Sequence, residues 1–381
     1  MNVLQLGSGW FAEAPGGLER VYEALCRYLP ATGVHCQGVV MGSEAVARTT
    51  EGKFVAAAPP EAPLWRRWQG VRRAVRQLRR DRPWDLVAAH FALYTFPVLD
   101  LVQDLPLVVH FHGPWAWEGR EEARRGVQVA VKAWLERTVY RQAVRCIVLS
   151  EAFGHELVRR YGVAPERVRI VPGGVEASRF ALDCSRQEAR AKLGWPADRP
   201  IVLSVRRLVR RMGLERLITA MTAVRQRIPE VLLLIAGRGP LAQALEAQIK
   251  ALELQQHVRL LGFVSDDQLP LAYRAADLTI VPTIALEGFG LITLESLAAG
   301  TPVLVTPVGG LPEAVRGLSE SLVLDDTTPE ALAAGLIEAL TGRRVLPSAE
   351  ACQAHVRAHY DWPVIAQQVK GVYAEALREG A

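Results

Sequence analysis

Two glutamates, Glu287 and Glu295, enclose the densest group of residues whose types and spacing could support chemistry. A Gly-Phe-Gly triplet follows Glu287, and a helix is predicted to begin near Leu291. Glycines let the backbone approach a ligand closely, and a helix start offers free N–H groups and a partial positive charge. The segment therefore favours a diphosphate or a sugar hydroxyl as ligand, with one carboxylate meeting a sugar and the other a ribose.

A second candidate stands at the end of a strand in the first half of the chain. The run Leu107–His112 reads as a buried strand and is followed by Gly113. A histidine at a strand tip can exchange protons or hydrogen-bond a ligand near neutral pH, so His112 is the functional candidate. His110 is two residues earlier on the same strand face and is interpreted as a buried structural residue.

Short apolar runs alternate with longer helical patterns along the whole chain, which is typical of parallel βαβ units. The strands predicted for the first half are Val3–Gly7, Cys36–Met41, Phe54–Ala57, Leu86–His90, Leu107–His112, Cys146–Leu149 and Val168–Val171. Those predicted for the second half are Ile201–Val205, Val231–Ala236, Val258–Leu261, Leu278–Val281, Pro302–Thr306 and Ser321–Leu324.

This pattern predicts an α/β protein with two Rossmann-like, doubly wound domains that face a central cleft. We expect an N-terminal domain at residues 1–174 and a linker at 175–199, where Asp, Ser, Gly and Pro break the rhythm. The C-terminal domain is expected at 200–360, followed by a final helical segment at 361–381.

Length and composition agree with two soluble domains. The chain has 381 residues, of which 50% are hydrophobic and 22% are charged. Its five cysteines form no CxxC pair, which argues against a zinc site or a disulfide framework. No signal peptide and no apolar run of membrane-spanning length is read from the sequence, so we expect a cytoplasmic protein.

The second half carries several motifs in an order that resembles glycosyltransferase family 4 (group 1), the retaining nucleotide-sugar transferases of GT-B fold. The segment Glu287–Glu295 resembles the E-x7-E motif of that family. The other ordered pieces are Arg206–Gly213, Ala236–Pro240, Leu261–Val264 and Thr306–Glu313. The resemblance covers nearly the whole chain and is strongest from residue 200 to 317.

The resemblance implies roles for individual residues at a donor site. Glu287 would contact the donor sugar beside the reacting carbon, and Glu295 would bind the nucleotide ribose. Arg207 would bind the diphosphate through its planar guanidinium. The further donor-binding positions that it implies are Gly288, Phe289, Gly290, Leu291, Gly262 and Val264, the last two near the base.

It also implies roles in the first half. His112 would lie beside the donor sugar, near its 6-hydroxyl. Gly16 and Gly17 would let a loop close over the donor phosphates and the acceptor. A C-terminal helix, expected at about Ile365–Leu377, would cross back toward the N-terminal domain.

One position departs from the family pattern, because Met212 stands where a lysine is usual. A lost phosphate-facing cation would weaken stabilisation of the leaving group. We predict that Arg211, the preceding residue, supplies the missing charge. The alternative is that Arg206, Arg210 and Arg211 only coat a surface.

The predicted reaction moves a hexose from a nucleoside diphosphate to a hydroxyl acceptor, glycan or lipid-linked, with retention of configuration, in cell-envelope or polysaccharide synthesis. No D-x-D motif stands at a strand end, so no metal and no cofactor are expected. A nucleotide-sugar 2-epimerase and a non-catalytic donor-binding partner remain alternatives on the same fold.

A competing motif, Gly7-Ser8-Gly9-Trp10-Phe11-Ala12, formally fits a dinucleotide fingerprint. The helix does not open at once after it, and Trp10 and Phe11 would crowd a pyrophosphate. NAD binding is therefore not expected, and no nucleic-acid-binding module is recognised.

Charge is uneven along the chain, since residues 1–174 carry 23 Lys+Arg against 17 Asp+Glu. Much of the excess lies in residues 64–80, where apolar residues recur at helical spacing and arginines occupy the other face. One interpretation is a core-packed helix with a solvated basic face. The other is an interfacial helix that touches an anionic membrane surface, peripheral at the inner face of the plasma membrane.

Overall fold

The structure is a computed structural model that describes residues 1–14, 16–117 and 126–379. It divides into two compact units. The first unit contains Met1–Gly173 together with the chain from Trp362 onward, and the second contains Gly174–Asp361. Each unit is built on one parallel sheet covered by helices, so the predicted α/β class with two Rossmann-like domains is confirmed.

The first unit has a seven-stranded parallel sheet of order β3-β2-β1-β4-β5-β6-β7. The strand order reverses between β1 and β4, which places the switch point of this sheet there. Its strands are β1 (Asn2–Gly9), β2 (His35–Met41), β3 (Phe54–Ala56), β4 (Leu86–Ala89), β5 (Leu107–Phe111), β6 (Arg145–Val148) and β7 (Val168–Ile170).

The helices of the first unit that the structure describes cover this sheet. They are α1 (Gly17–Tyr28), α2 (Ala45–Thr49), α3 (Leu64–Asp81), α4 (Ala92–Thr95), α5 (Gly126–Gln142) and α6 (Glu151–Tyr161), with 3-10 turns at Leu29–Thr32, Phe96–Leu101 and Pro165–Arg167. Buried aliphatic and aromatic side chains from sheet and helices form one continuous core.

The second unit has a five-stranded parallel sheet of order β10-β9-β8-β11-β12. Its switch point lies between β8 and β11, the strands that precede the Arg206 segment and the Glu287 loop. Its strands are β8 (Ile201–Val205), β9 (Leu232–Ala236), β10 (Val258–Gly262), β11 (Leu278–Val281) and β12 (Val303–Val305).

The helices of the second unit again lie against its sheet and close a separate core. They are α7 (Ala177–Phe180), α8 (Arg186–Leu193), α9 (Leu214–Arg227), α10 (Ala242–Ala251), α11 (Leu269–Ala275), α12 (Leu291–Ala298), α13 (Leu311–Arg316), α14 (Pro329–Leu340) and α15 (Ala349–His359), with 3-10 turns at Arg210–Met212 and Glu320–Leu322.

The predicted strand Ser321–Leu324 is wrong. The side chain of Ser319 accepts a hydrogen bond from the backbone N–H of Ser321, and this bond begins the 3-10 turn Glu320–Leu322. Only Val323 then forms an isolated bridge with β12. A single bridge does not make a strand, although the run is as apolar as the true strands.

The predicted linker 175–199 is also corrected, because the structure assigns it to the second unit. Ser185 begins α8 with a reciprocal capping box formed with Glu188. The guanidinium of Arg190 is buried and donates to the Ala275 carbonyl at 2.9 Å and to the Asp277 carboxylate at 2.6 Å. These contacts hold the segment against the end of α11 and the residue before β11, within the second unit.

A last helix, α16 (Trp362–Glu379), packs within the first unit against α1 and the 3-10 turn after it. Lys370 donates to the Thr32 carbonyl at 2.6 Å. Glu375 accepts from Arg169 at 2.7 Å, and the buried Arg145 also pairs with Glu375 and Glu379. Among the described residues, no helix combines the length and apolarity needed to cross a bilayer.

Candidate functional site

Glu287 lies in the loop that leaves β11, beside the segment that leaves the neighbouring strand β8. Its Oε2 accepts from the guanidinium of Arg206 and lies 3.4 Å from Thr283 Oγ1. Arg206 also donates to the Thr283 hydroxyl. The side chains of Arg206 and Glu287 are only 7% and 14% exposed, so the pair is shielded from water. The switch point of this sheet therefore holds a buried ion pair.

The surroundings of Glu287 keep its carboxyl ionised. Burial alone would raise its pKa, but the Arg206 charge and hydrogen bond outweigh burial. Arg211 and the Thr283 hydroxyl act in the same direction, and the pKa of Glu287 is lowered from its ordinary value of 4.5. Glu287 is thus a buried carboxylate at neutral pH, suited to interact with positive charge or with hydroxyl hydrogens.

The 3-10 turn Arg210–Met212 contributes a second cation to this loop. Arg211 donates from Nη1 to the Leu286 carbonyl at 2.8 Å, and its own carbonyl accepts from Ile284 at 2.9 Å. Met212 points the other way and is 5% exposed in the core of the second unit. The cation that this turn directs toward the Glu287 loop is therefore Arg211, and its contact with a phosphate stays a prediction.

The side chain of Arg207 differs in exposure from that of its neighbour Arg206. It is exposed, while Arg206 is buried against Glu287. Of the two, Arg206 is the one that pairs with the carboxylate. Arg207 therefore remains a candidate for an external anion rather than a partner of Glu287.

Backbone geometry shapes the loop between Glu287 and α12. Leu286 adopts a φ of 52°, which is uncommon for a branched residue. Gly290, with a φ of 78°, caps α12, and a Cβ there would lie 2.4 Å from a Leu311 methyl group. Gly309, with a φ of 56°, packs so closely that a Cβ would lie 2.0 Å from the Glu287 carbonyl oxygen. The glycines are thus required by this loop's path.

The remaining predicted donor residues are placed around α12 and the end of β10. Phe289 is buried against Tyr360, with ring centroids 5.6 Å apart, while Gly288 and Leu291 are half-buried. Glu295 is buried within α12 and accepts from the Tyr273 hydroxyl at 2.9 Å. Tyr273 is a contact that the sequence prediction missed, because nothing in its local pattern pairs it with Glu295.

Gly262 ends β10 with a φ of 69°, and its carbonyl accepts from Gly237 at 2.7 Å. Val264 follows in the next loop and is half-buried. Between them Phe263 is 58% exposed, with the Arg238 guanidinium 4.9 Å from its ring centroid. This loop presents a flat aromatic surface beside a cation.

In the first unit, His112 directly follows β5. Its neighbour His90 ends a strand predicted from the sequence but was not a functional candidate. Nδ1 of His90 lies 3.1 Å from Nε2 of His112, and both rings are close to that of His110. His90 directly follows β4, the strand adjacent to β5. The signal that could have found it was a histidine at the end of a second, neighbouring strand.

Gly16 and Gly17 begin α1. Gly16 is the N-cap in an extended conformation, and a Cβ there would lie 2.3 Å from a carboxylate oxygen of Glu19, whereas Gly17 is open. Upstream, Trp10 is buried at a ring distance of 5.2 Å from Phe54. An aromatic side chain therefore fills the space beside the glycines that resembled a dinucleotide fingerprint.

No three His, Cys, Asp or Glu side chains converge as metal ligands in the ranges 1–14, 16–117 and 126–379. The two units thus contribute distinct candidate groups. The second unit holds Glu287 with Arg206, Arg211 and the start of α12, and the first holds the histidine group around His112. The charges and hydrogen-bonding atoms of the group in the second unit suit a polar, anionic ligand such as a nucleotide diphosphate.

Curated relatives are glycosyltransferases by name. The chain is 34% identical over 261 residues to D-inositol 3-phosphate glycosyltransferase of Salinispora tropica, covering 64% of this chain and 53% of the relative. It is 31% identical over 209 residues to GDP-mannose-dependent alpha-(1-6)-phosphatidylinositol monomannoside mannosyltransferase of Mycobacterium tuberculosis, covering 53% and 54%. The chain thus spans about half the length of these relatives.

Solved structures share the fold over the full length. Sucrose-phosphate synthase from Thermosynechococcus elongatus matches with a TM-score of 0.81 at 23% identity, covering 100% of both chains. Anabaena HepE in complex with UDP-glucose matches with a TM-score of 0.78 at 21% identity, covering 98% of this chain and 100% of that one.

Two family models match adjoining parts of the sequence. The model described as Glycosyltransferase Family 4 matches residues 15–179, and the model described as Glycosyl transferases group 1 matches residues 185–359. The sequence motifs, the two parallel sheets and these matches agree, and the chain belongs to glycosyltransferase family 4 (group 1), with the GT-B fold.

Proposed function

We propose that the protein is a retaining glycosyltransferase that moves a hexose from a nucleoside-diphosphate sugar to a hydroxyl acceptor. The observation that carries the proposal is the buried Arg206–Glu287 pair at the switch point of the second sheet. An ionised carboxylate in a shielded site can stabilise the positive charge that develops on a sugar as its bond to the diphosphate breaks. The names of the relatives support a hexosyl donor.

The departing diphosphate needs positive charge and hydrogen-bond donors. Arg207 is exposed and free to turn toward it, and Arg211 adds charge from the neighbouring turn. The start of α12 offers backbone N–H groups and the positive end of its dipole. We propose that these groups perform the stabilisation without a metal ion.

Buried polar atoms of the second unit favour a ligand at this place. Nε of Arg206 and Oγ1 of Thr293 are buried and have no hydrogen-bond partner among the described residues. Such groups are rare in folded proteins because each costs free energy. A bound nucleotide sugar with its hydration would satisfy them. Glu295 would then meet the ribose, and Gly262 and Val264 the base.

We further propose that the first unit docks on an anionic membrane surface, which would bring the enzyme to a lipid-linked acceptor at the cytoplasmic face. Large apolar side chains on two helices of that unit are exposed to solvent. They are Leu64 and Trp65 on α3 and Val127, Val131 and Trp134 on α5, with exposures of 39%, 56%, 78%, 58% and 59%. These residues are the apolar patch.

The two helices lie on either side of one aromatic residue. Phe96 has its ring 5.8 Å from that of Trp68 on α3 and 5.3 Å from that of Trp134 on α5. The apolar patch is therefore shared by neighbouring helices of one unit. Monomeric soluble proteins seldom expose large contiguous apolar surface without a binding role.

Charge on α3 selects an anionic partner for the patch. Arg72 pairs with Asp100 at 2.6 Å and Arg79 with Asp104, so these two arginines are neutralised. The exposed arginines of the helix are Arg66, Arg73, Arg76 and Arg80. Cations beside exposed tryptophans are typical of helices that bind anionic lipid, each cation adding about 1 kcal/mol.

A panel of nucleotide sugars and nucleoside diphosphates read by thermal shift tests the donor proposal. A ligand that binds only the folded protein raises its apparent melting temperature by mass action. We expect one nucleoside diphosphate and its hexose conjugate to stabilise the protein. Absence of any stabilisation across the panel, with ligand at millimolar concentration, would contradict the donor site.

A further inference from the structure

Three histidine rings of the first unit are stacked at the ends of two adjacent strands. The rings of His90 and His110 lie 4.1 Å apart at 11°, and those of His90 and His112 lie 5.3 Å apart at 23°. His90 directly follows β4, and His112 directly follows β5. The sheet therefore sets the spacing of the three rings.

A chain of hydrogen bonds runs through this histidine group. Nδ1 of His90 lies 3.1 Å from Nε2 of His112, and Nε2 of His90 lies 3.0 Å from Oε1 of Gln5. The Gln5 amide nitrogen donates to the Tyr373 hydroxyl at 3.4 Å and to the Cys36 sulfur at 3.6 Å. This orientation of the amide directs its oxygen at His90.

The amide oxygen determines where the ring protons reside. Because Oε1 of Gln5 can only accept, Nε2 of His90 carries a hydrogen. A neutral imidazole has one N–H, so Nδ1 of His90 accepts, and the donor to it is Nε2 of His112. His112 then keeps a lone pair on Nδ1, to which the structure gives no partner among the described residues.

The hydrogen bonds of Tyr373 are consistent with this assignment. The Tyr373 oxygen accepts from Gln5, and its hydroxyl hydrogen is free to donate to Nε2 of His110 at 2.8 Å. Tyr373 belongs to α16, so the C-terminal helix contributes to the orientation of Gln5. Each of these hydrogen bonds thereby joins one donor to one acceptor.

This assignment of protons applies to neutral rings, and burial keeps the rings neutral. Burial lowers the pKa of His112 to about 4. Burial also lowers the pKa of His90 and His110, and the neighbouring histidines lower it further. The groups packed around the rings are neutral near pH 7, namely Gln5, Tyr22, Cys36 and Tyr373.

We propose that His90 is a positioning residue that holds His112 in the Nε2–H tautomer, so that Nδ1 of His112 accepts a hydrogen bond from a hydroxyl of the bound sugar. This inference rests on the proposed function and on the role beside the donor sugar that the family resemblance implies for His112. A neutral acceptor at this point adds no positive charge beside the sugar as it becomes oxocarbenium-like. It also selects sugars that carry a hydroxyl hydrogen there.

Nitrogen-resolved NMR of the full-length protein with 15N-labelled histidine tests the tautomer without any variant. We expect the spectrum to show His112 protonated on Nε2 and unprotonated on Nδ1 throughout about pH 5 to 8, the range in which free histidine titrates. A proton on Nδ1, or a charged His112 ring at neutral pH, would overturn the proposal.

Kinetics with altered donors test the acceptor role of Nδ1. The donor selected by the thermal-shift panel is compared with its 6-deoxy and 6-deoxy-6-fluoro analogues, since the fluorine cannot donate. We expect both analogues to lose about ten-fold in kcat/KM, the value of one hydrogen bond. A fluoro donor that matches the hydroxyl donor would overturn the proposal, because it would show that His112 donates.

The variant His90→Phe keeps a stacked ring and removes the acceptor for Nε2 of His112. We expect it to reduce kcat/KM for the hydroxyl donor and to abolish the preference over the deoxy donor. His355→Phe, at a half-buried histidine of the second unit, is the matched control and should keep the preference. Retention of the preference in His90→Phe would refute the positioning role. Absence of transfer with every donor would instead reject the proposed function, and the NMR result would still decide the tautomer.

Discussion

At the scale of single residues, Glu287 combines burial with ionisation. That combination depends on Arg206, whose side chain is even less exposed than that of Glu287. A buried ion pair is costly to form and still more costly to break, because either partner alone is left as an uncompensated charge. Arg206 is therefore expected to set both the stability and the charge of the site.

Replacing Arg206 with methionine should lower the free energy of unfolding by about 3–5 kcal/mol, the usual cost of breaking a buried pair. Arg207→Met, at the exposed neighbour, is the matched control and should change it by less than about 0.5 kcal/mol. Urea unfolding followed by fluorescence measures both. Equal effects of the two substitutions would argue against a buried pair.

The pH dependence of stability should carry the signature of Glu287. Its pKa is lower in the folded protein than its ordinary value of 4.5, so its contribution is complete above that value. The contribution is lost as the pH falls through the folded pKa. Glu287→Gln should therefore lose less unfolding free energy on acidification than the native protein does. If the free energies of unfolding of the two proteins fell equally with pH, Glu287 would have the same pKa in the folded and unfolded states.

Substituting Arg211 tests whether this residue supplies the positive charge that is missing at Met212. Arg211→Ala should weaken nucleoside-diphosphate binding about ten-fold or more, since a charged hydrogen bond contributes about 1.5–3 kcal/mol. Arg210→Ala, at the exposed residue next to it, should leave the affinity nearly unchanged. Calorimetric titration measures both affinities. An unchanged affinity in Arg211→Ala would show that Arg211 does not supply the charge of the missing lysine.

The sequence marks Glu287 and Arg211 as candidate site residues but does not show what Arg206 or His90 contact. A motif marks a residue whose type and spacing recur, whereas an ion pair between positions 206 and 287 depends on which strands are neighbours in the sheet. Strand order is a long-range property that local periodicity does not encode. Tyr273 was missed for the same reason, because its bond to Glu295 joins two separate helices.

At the scale of elements, the first unit exposes the apolar patch on α3 and α5 beside cations. The sequence predicted the basic amphipathic character of α3 but not that Arg72 and Arg79 are paired with aspartates. It also gave no reason to join α5 to α3, since their contact through Phe96 is tertiary. Local periodicity predicted most strands closely, yet failed at Ser321–Leu324, where a hydroxyl-capped turn prevails.

Flotation with vesicles tests the membrane proposal. The native protein should float with vesicles rich in phosphatidylglycerol and not with phosphatidylcholine vesicles. The double variant Trp65→Ser, Trp134→Ser should lose this binding, because it removes the largest apolar side chains of the patch. Val345→Ser alters an exposed apolar residue of the second unit and should bind normally. Equal binding by native protein and double variant would exclude the patch as the contact.

At the scale of the whole molecule, the first unit is discontinuous in sequence. Its last helix, α16, supplies Glu375 and Glu379 to Arg145 and Tyr373 to the histidine group. The sequence itself predicts a final helix, but only the family resemblance predicts its return toward the N-terminal domain, since apolar spacing alone does not specify which sheet a helix covers.

Fragments of the two units should therefore differ in thermal stability. A fragment of residues 174–361 has a complete sheet and core and should unfold cooperatively by itself. A fragment of residues 1–173 lacks α16, leaves Arg145 without its carboxylates, and should melt at a lower temperature than the same fragment joined to residues 362–381 by a flexible linker. Circular dichroism during heating measures these transitions, and identical melting of the last two would deny α16 a structural role.

The proposed function is that the Glu287 loop binds a nucleoside-diphosphate hexose and that the hexose is transferred with retention of configuration. Its most direct test is proton NMR of a reaction that contains the selected donor and a hydroxyl acceptor. We predict nucleoside diphosphate together with a glycoside of the same anomeric configuration as the donor, and a loss of at least about a hundred-fold in rate for Glu287→Gln, as for removal of one transition-state contact. A donor that is converted to its 2-epimer, a product of inverted configuration, or transfer that persists undiminished in Glu287→Gln would contradict it.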